Sequence, residues 1–170
     1  RKISKNLKIA FDPANGAAGE LVSILCRKLP CQTFIINEKI DGNFPGHDPD
    51  PTIPRNLDQL KNYVLENNCD VGIGFDGDAD RIGIITKKGG FVPGDQLLCL
   101  YAKDVISKSP GAKIIADIKA SGVLFDYVKE IGGVPIMWKT GHSFIKAKIK
   151  ESGAKLAGEM SGHIFFADEY

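Results

Sequence analysis

Short apolar runs alternate with amphipathic stretches along the chain, a pattern that is typical of α/β proteins. Apolar residues at helical spacing predict helices over 19–29, from Pro54 to about residue 64, and over 95–107, 123–131 and 144–151. Runs rich in β-branched residues predict strands at 7–11, 33–36, 71–75, 82–86, 113–116, 134–138, 155–157 and 164–166. Strands linked through helices should be parallel, whereas strands joined by a tight turn should be antiparallel.

The two halves of this pattern repeat. Lys8-Ile-Ala-Phe-Asp12 matches Lys113-Ile-Ile-Ala-Asp117, and each opens the series strand, helix, strand, helix, strand, turn, strand. We therefore predict two similar α/β units, 1–91 and 92–170. A helix follows the last strand of the first unit but not that of the second, so we expect the chain to be a fragment whose second unit is truncated.

The most distinctive stretch is the turn between the third and fourth predicted strands, Asp76-Gly-Asp-Ala-Asp-Arg81. Three carboxylates on alternate residues would point the same way and repel one another, and a hard divalent cation would remove that repulsion. An all-oxygen ligand set favours magnesium over manganese or calcium. Arg81 indicates an anion nearby, such as phosphate.

Other interpretations of this turn stay open. A solvated acidic turn is one, and a phosphatase in which Asp76 attacks and Asp78 is the acid is another. The EF-hand pattern is not met, because Arg81 stands where its glycine belongs and Lys87 where its glutamate belongs.

A second turn occupies the corresponding place in the second unit. Glu159, Ser161 and His163 alternate there as the aspartates do, between glycines that would let a ligand approach the backbone. This set suits the hydroxyl groups of a sugar better than a metal, although Glu159 and His163 could simply cap a hairpin.

Two further polar residues, Lys119 and His142, lie at junctions between a predicted strand end and a helix. Ligands gather at the carboxyl ends of strands in α/β sheets, so both are candidates for the same cleft. His47 lies in the proline-rich loop 41–51 and is assigned no chemistry. A rival prediction is a dinucleotide loop at 14–19, with Glu38 at the end of the next strand; the pattern lacks its first glycine, and Gly16 and Gly19 are better interpreted as helix-entry residues.

Composition narrows the function classes further. The 170 residues carry a net charge of +1, which gives no electrostatic footprint for nucleic acid or an anionic membrane. No apolar run is long enough to cross a bilayer, and the four cysteines form no CxxC pair, so a cytoplasmic protein is expected. Cys69 and Cys99 are expected to be reduced thiols in the core.

The acidic turn and Gly158-Glu-Met-Ser-Gly-His163, in this order, resemble the α-D-phosphohexomutases, in particular the bacterial phosphomannomutase/phosphoglucomutase group. Asp41-Gly-Asn-Phe-Pro45, Asp117-Ile-Lys119 and Trp138-Lys-Thr-Gly-His-Ser143 are also similar to that family. Met160 resembles the mannose/glucose type, whereas phosphoglucosamine mutases, the alternative within the family, usually carry Gln.

The resemblance implies two similar three-layer α/β/α domains, each a mixed, mostly parallel sheet with one antiparallel strand: the second of four domains and most of the third. It implies one Mg²⁺ bound by Asp76, Asp78 and Asp80, with Arg81 beside a phosphoserine. Glu159 and Ser161 would bind sugar hydroxyls. Lys119, His142 and His163 would lie near the sugar or its phosphate, and Lys119 or His163 would assist proton transfer.

The implied activity is the interconversion of hexose 1-phosphate and 6-phosphate through a phosphoserine and a hexose 1,6-bisphosphate. The implied partners are mannose or glucose phosphates and the missing domains 1 and 4 of the same enzyme. By itself the chain is expected to be inactive and to bind magnesium at most weakly, because the phosphoserine ligand is absent. A magnesium-dependent sugar-phosphate phosphatase and a nucleotide-binding module remain the alternatives of other classes.

Overall fold

The computed structural model describes residues 3–167, which separate into two units between Val92 and Pro93. The helices are α1 (Gly19–Lys28), α2 (Asp58–Glu66), α3 (Gly94–Lys108), α4 (Gly122–Glu130) and α5 (His142–Ser152). The strands are β1 (Lys8–Asp12), β2 (Gln32–Ile35), β3 (Val71–Phe75), β4 (Ile82–Thr86), β5 (Phe91–Val92), β6 (Lys113–Asp117), β7 (Val134–Trp138), β8 (Leu156–Gly158) and β9 (Ile164–Phe166).

The first unit is a three-layer sandwich built on a sheet of order β2-β1-β3-β4-β5. Strand β1 pairs in parallel with β2 and β3, whereas β4 is antiparallel to β3. Because side chains alternate along a strand, Ile9 and Phe11 pack on the face that carries Val22 of α1. Ala10 packs on the opposite face, against Leu60 of α2 and its neighbours.

The second unit repeats this plan with the sheet order β7-β6-β8-β9. Strand β6 is parallel to β7 and β8, and β9 is antiparallel to β8. Ile114 packs with α3 and α4 on one face, and Ile115 packs with Ile145 of α5 on the other. The predicted fold class and the predicted position of β7 at a sheet edge are confirmed.

The differences from the predicted elements are local. Residues 54–57 form a 3-10 turn before α2, as is frequent at the start of an α-helix. The two-residue strand β5, which pairs with β4, was not predicted, because two residues are too few for a periodic signal. Cys69 is buried and Cys99 is half-buried, and burial raises the pKa of both thiols.

None of the helices in residues 3–167 combines the length and the apolar character needed to cross a bilayer.

Candidate functional site

The acidic loop, residues 76–81, joins β3 to β4 at the carboxyl end of β3. Asp76, Asp78 and Asp80 each bring a carboxylate oxygen to within 4.8 Å of the others. Asp76 is buried, whereas Asp78 and Asp80 are exposed on the open side of the loop. Oxygens at this separation can all lie at bonding distance from one ion, so the loop forms a group that could hold a metal ion.

Arg81 compensates the buried charge of Asp76. Its backbone N–H donates to Oδ1 of Asp76 at 3.1 Å, and its Nε donates to Oδ2 at 2.6 Å. Burial by itself would raise the pKa of Asp76, but the hydrogen bonds and the positive charge of Arg81 outweigh burial and lower it. Asp76 is therefore an anion held in place, and each of its oxygens retains a lone pair for a cation.

Asp50, which sequence reasoning left without a role, is the second carboxylate on Arg81. Its Oδ1 lies 3.4 Å from Nη1 of Arg81 and accepts hydrogen bonds from the backbone and hydroxyl of Thr52. Asp80 lies 3.9 Å from Nε of Arg81. The guanidinium is thus surrounded by carboxylates, and in this geometry it acts as part of the acidic loop.

The acidic loop also rests on the segment before α1. Ala17 donates its backbone N–H to the carbonyl of Gly77 at 2.9 Å. A methyl group placed on Gly16 would lie 2.6 Å from the same carbonyl oxygen, and one on Gly19 would lie 2.2 Å from that of Glu38. Both glycines therefore face the unit's own backbone, which fills the space that the rival dinucleotide prediction requires.

The serine–histidine turn, residues 158–163, joins β8 to β9 at the equivalent place in the second unit. Nδ1 of His163 lies 2.9 Å from Oε2 of Glu159 and 2.9 Å from Oγ of Ser161. Glu159 is 2% exposed, and its Oε1 accepts the backbone N–H of Gly141. Because a carboxylate only accepts, it holds a proton on Nδ1 and makes Nε2 the basic nitrogen of a neutral His163.

His142 and Lys119 lie at the same edge of the second sheet. His142 is the first residue of α5, and its ring centroid is 6.3 Å from that of His163. Lys119 is exposed in the turn between β6 and α4. The structure thus brings four predicted site residues together (His142, Glu159, Ser161 and His163), and it places Lys119 at the end of the strand that neighbours β8.

Buried aspartates behind this turn were missed by sequence reasoning. Asp117 at the end of β6 accepts hydrogen bonds from Thr140 Oγ1 and from the backbone of Met160. Asp95 accepts the N–H of Ser121. Asp117 could have been recognised as a site residue because it ends a buried strand. Asp12 holds the same position in the first unit, as the internal repeat indicates.

Comparison with known proteins gives the same division of the chain. The model of phosphoglucomutase/phosphomannomutase α/β/α domain II matches residues 1–90, and that of domain III matches residues 93–170. A phosphomannomutase/phosphoglucomutase of Pseudomonas putida is 47% identical over 169 residues, which cover 99% of this chain and 36% of that protein. A phosphoglucomutase of Neisseria gonorrhoeae is 44% identical over 99% of this chain and 37% of its own length.

Solved structures of phosphohexomutases have the same fold as this chain. A phosphoglucomutase/phosphomannomutase family protein of Burkholderia thailandensis superposes with a TM-score of 0.95 at 47% identity, over 99% of this chain and 37% of that one. N-acetylphosphoglucosamine mutase of Aspergillus fumigatus, in complex with GlcNAc-6P and magnesium, has a TM-score of 0.72 at 18% identity over 99% of this chain and 38% of that one, and shows the fold alone. The chain spans little more than a third of these curated relatives. It belongs to the phosphoglucomutase/phosphomannomutase family, of which it carries the second and third α/β/α domains.

Proposed function

We propose that this chain supplies the cation-binding and sugar-binding loops of a cytoplasmic phosphomannomutase/phosphoglucomutase. The whole enzyme would be an isomerase that interconverts hexose 1-phosphate and hexose 6-phosphate through a phosphoserine and a hexose 1,6-bisphosphate. Residues 1–91 would form its second domain and 92–170 its third, with domains 1 and 4 as partners. The observation that carries the proposal is the convergence of Asp76, Asp78 and Asp80 within 4.8 Å on a hairpin loop.

The cation proposed at this loop is Mg²⁺, because the donor set is entirely carboxylate oxygen. When bound, Mg²⁺ supplies positive charge that offsets the negative charge of a transferring phosphoryl group. Asp76, which is held by its bonds to Arg81, would be the buried ligand of the cation. Asp78 and Asp80 would be its exposed ligands. Arg81 adds a second positive charge beside the phosphate.

The serine–histidine turn is the proposed sugar site. A mutase must accept its sugar in two orientations, so hydroxyl contacts that survive the exchange of ends are favoured. Ser161 would offer a hydroxyl at the turn, and Lys119 and His142 would lie near the sugar or its phosphate. Glu159 is buried and already holds His163 and the Gly141 amide. A sugar hydroxyl that binds Glu159 would therefore replace one of these partners.

Proton transfer at the attacking hydroxyl is assigned to His163 or Lys119. Glu159 keeps the Nδ1 proton of His163 in place, so Nε2 is the nitrogen that would take up a proton from the sugar. Lys119 would act from the end of β6. The same geometry serves a phosphoglucosamine mutase, but Met160 and identities of 44–47% to the relatives described above favour mannose or glucose phosphates.

The test is a chimera in which residues 1–170 replace the matched segment of the Pseudomonas putida relative. We expect mutase activity that requires added Mg²⁺. Asp78→Asn should lower kcat by about 100-fold, since this variant would hold less tightly the cation whose charge stabilises the transition state. Lys88→Gln, in the exposed turn after β4, is the matched control and should leave activity unchanged. The isolated chain should be inactive.

A folded chimera without mutase activity would contradict the proposal. A chimera that only releases phosphate from a sugar phosphate would favour a phosphatase. In the active chimera, His163→Ala should lower kcat by about 100-fold and alter the pH profile of turnover. A His163→Ala chimera with unchanged turnover across pH would move the proton-transfer role to Lys119, which Lys119→Met tests in the same assay.

A further inference from the structure

A half-buried ion pair at the end of β1 involves His47, a residue outside the proposed site. Asp12 is fully buried, and its Oδ1 accepts hydrogen bonds from the backbone of Ala14 and from Nδ2 of Asn37. Its other oxygen, Oδ2, lies 2.9 Å from Nε2 of His47. His47 belongs to the proline-rich loop, residues 41–51, so this contact ties that loop to β1, an interior strand of the first sheet.

The contacts of His47 define its protonation. Its Nδ1 lies 2.9 Å from the carbonyl oxygen of Asp48, which can only accept, so Nδ1 carries a proton. Nε2 faces the carboxylate of Asp12 and must also donate. Both nitrogens donate only in the imidazolium form. The hydrogen bond to Asp12 raises the pKa of His47 against the opposing effect of burial, and the charged groups that face the ring are Asp12 from β1 and Asp48 from its own loop.

The same loop touches the acidic loop on two sides. A methyl group placed on Gly77 would lie 3.4 Å from the ring of Phe44 and 3.7 Å from Cγ of Pro49, so these side chains cover the loop between its first two aspartates. Asp50 reaches Arg81, as described above. The proline-rich loop therefore connects a half-buried imidazolium to the backbone and the arginine that shape the acidic loop.

We propose that His47, as an imidazolium, is a positioning residue for the cation site: it holds the proline-rich loop against β1 so that Phe44, Pro49 and Asp50 keep the acidic loop in its convergent shape. This inference rests on the proposed role of Asp76, Asp78 and Asp80 as cation ligands. It makes cation binding depend on a side chain that bonds to none of the ligands.

The direction of the pH dependence follows from this arrangement. A histidine whose pKa is raised in the folded state stabilises that state below its ordinary value of about 6.5, and the contribution is lost as the pH rises through the folded pKa. Cation affinity should therefore fall on the alkaline side as His47 loses its proton. Carboxylate ligands by themselves predict the opposite, an affinity that rises with pH and then stays level.

The experiment titrates the 170-residue chain with Mg²⁺ alone, to millimolar concentrations, and follows the amide NMR signals of the acidic loop from about pH 6 to about pH 9. In the wild type we expect affinity to fall severalfold across this range, in step with the ¹⁵N shifts of the His47 ring. His47→Ala should bind about tenfold more weakly at the acid end and show no alkaline fall, since a supporting contact outside the ligands is lost. His47→Gln, which keeps a donor toward Asp12 and cannot titrate, should restore much of the affinity and also show no fall.

A second readout is the hydrogen exchange of the Arg81 amide, which donates to Asp76 and should exchange faster in His47→Ala without any cation. The inference is overturned if the wild type binds Mg²⁺ with no alkaline fall, or if both His47 variants bind as the wild type does. Should His47→Ala fail to fold, His47→Gln decides through its pH profile. A wild-type chain that shows no Mg²⁺ response would count against the cation site itself, and the exchange of the Arg81 amide, which needs no cation, would then decide the positioning role of His47, so the two failures are distinguishable.

Discussion

Arg81 determines whether Asp76 can remain ionised in its buried position. Three of the contacts around this pair come from Arg81 itself: its backbone N–H and Nε to Asp76, and Nη1 to Asp50. A buried carboxylate left without its partner is strongly destabilised, and the loss exceeds what the pair contributed. The buried charge of Asp76 is thus balanced within the loop before any cation binds, whereas the loop as a whole remains negatively charged.

We expect Arg81→Met to lower the free energy of unfolding of the first unit by about 2 kcal/mol, because Asp76 keeps its burial and loses the charged hydrogen bond from Nε, although the backbone N–H of residue 81 still donates to it. This deficit should shrink as the pH falls, since burial then raises the pKa of Asp76 against less opposition and protonation relieves its buried charge, whereas the wild type loses stability as its lowered pKa is crossed. Urea unfolding followed by amide signals of the first unit measures both effects.

Mg²⁺ should restore part of the stability of Arg81→Met, because a bound cation replaces the missing charge. Lys88→Met is the matched control, as it removes an exposed charge from the turn after β4 and should change stability by less than about 0.5 kcal/mol. Equal stability of the Arg81 and Lys88 variants would show that Asp76 does not depend on its arginine.

Among the site residues, the sequence predicted only those that lie close to one another along the chain. The alternating aspartates, and the Glu159, Ser161 and His163 set, were predictable because a hairpin turn converts spacing along the chain directly into proximity. Asp12–His47 and Asp117–Met160 join residues 35 and 43 positions apart. Such contacts depend on how loops fold back over the sheet, and periodicity carries no information about that path.

The segment between β1 and α1 packs directly against the acidic loop. Its Gly16 lies so close to Gly77 that a methyl group would come within 2.6 Å of a backbone oxygen and 2.9 Å of the Gly77 Cα. Neither atom can move without moving the loop. The rival dinucleotide prediction concerns this same strand–turn–helix; the missing first glycine disfavours it in the sequence, and these packing distances disfavour it in the structure.

Gly16→Ala should therefore destabilise the first unit by about 1–3 kcal/mol and weaken Mg²⁺ binding, because the clash displaces the acidic loop. Gly42→Ala is the control within the proline-rich loop, where a methyl group would meet nothing within 4 Å, and it should be neutral or slightly stabilising. Thermal unfolding and the Mg²⁺ titration measure both variants. Equal effects of the two substitutions would contradict this account of the packing.

Sequence periodicity located most of the elements for a physical reason. Strands β3, β4 and β7 have the predicted bounds, because each is a short apolar run that ends at a turn. The first turn of the helix predicted from Pro54 is instead 3-10, and β5 was missed. The 3-10 turn has four residues and β5 has two, and such short elements cannot be recognised from hydrophobic periodicity.

Considered as a whole, the chain carries separate hydrophobic cores for its two units. Leu60, which is fully buried, belongs to a cluster made only of residues from the first unit. Ile114 is equally buried in a cluster made only of residues from the second. Stability that resides in separate cores predicts separate responses to core mutations, which tests the proposed division into two domains.

Leu60→Ala and Ile114→Ala should each cost about 2–5 kcal/mol, since each removes buried methyl groups from a filled core. We expect each loss to appear only in the amide signals of its own unit during urea unfolding, with Trp138 fluorescence responding to Ile114→Ala alone. Leu21→Ala, at a position 69% exposed, is the control and should shift neither transition appreciably. If one substitution lowered both transitions equally, the two units would unfold as one cooperative body, and the acidic loop would share its stability with the serine–histidine turn.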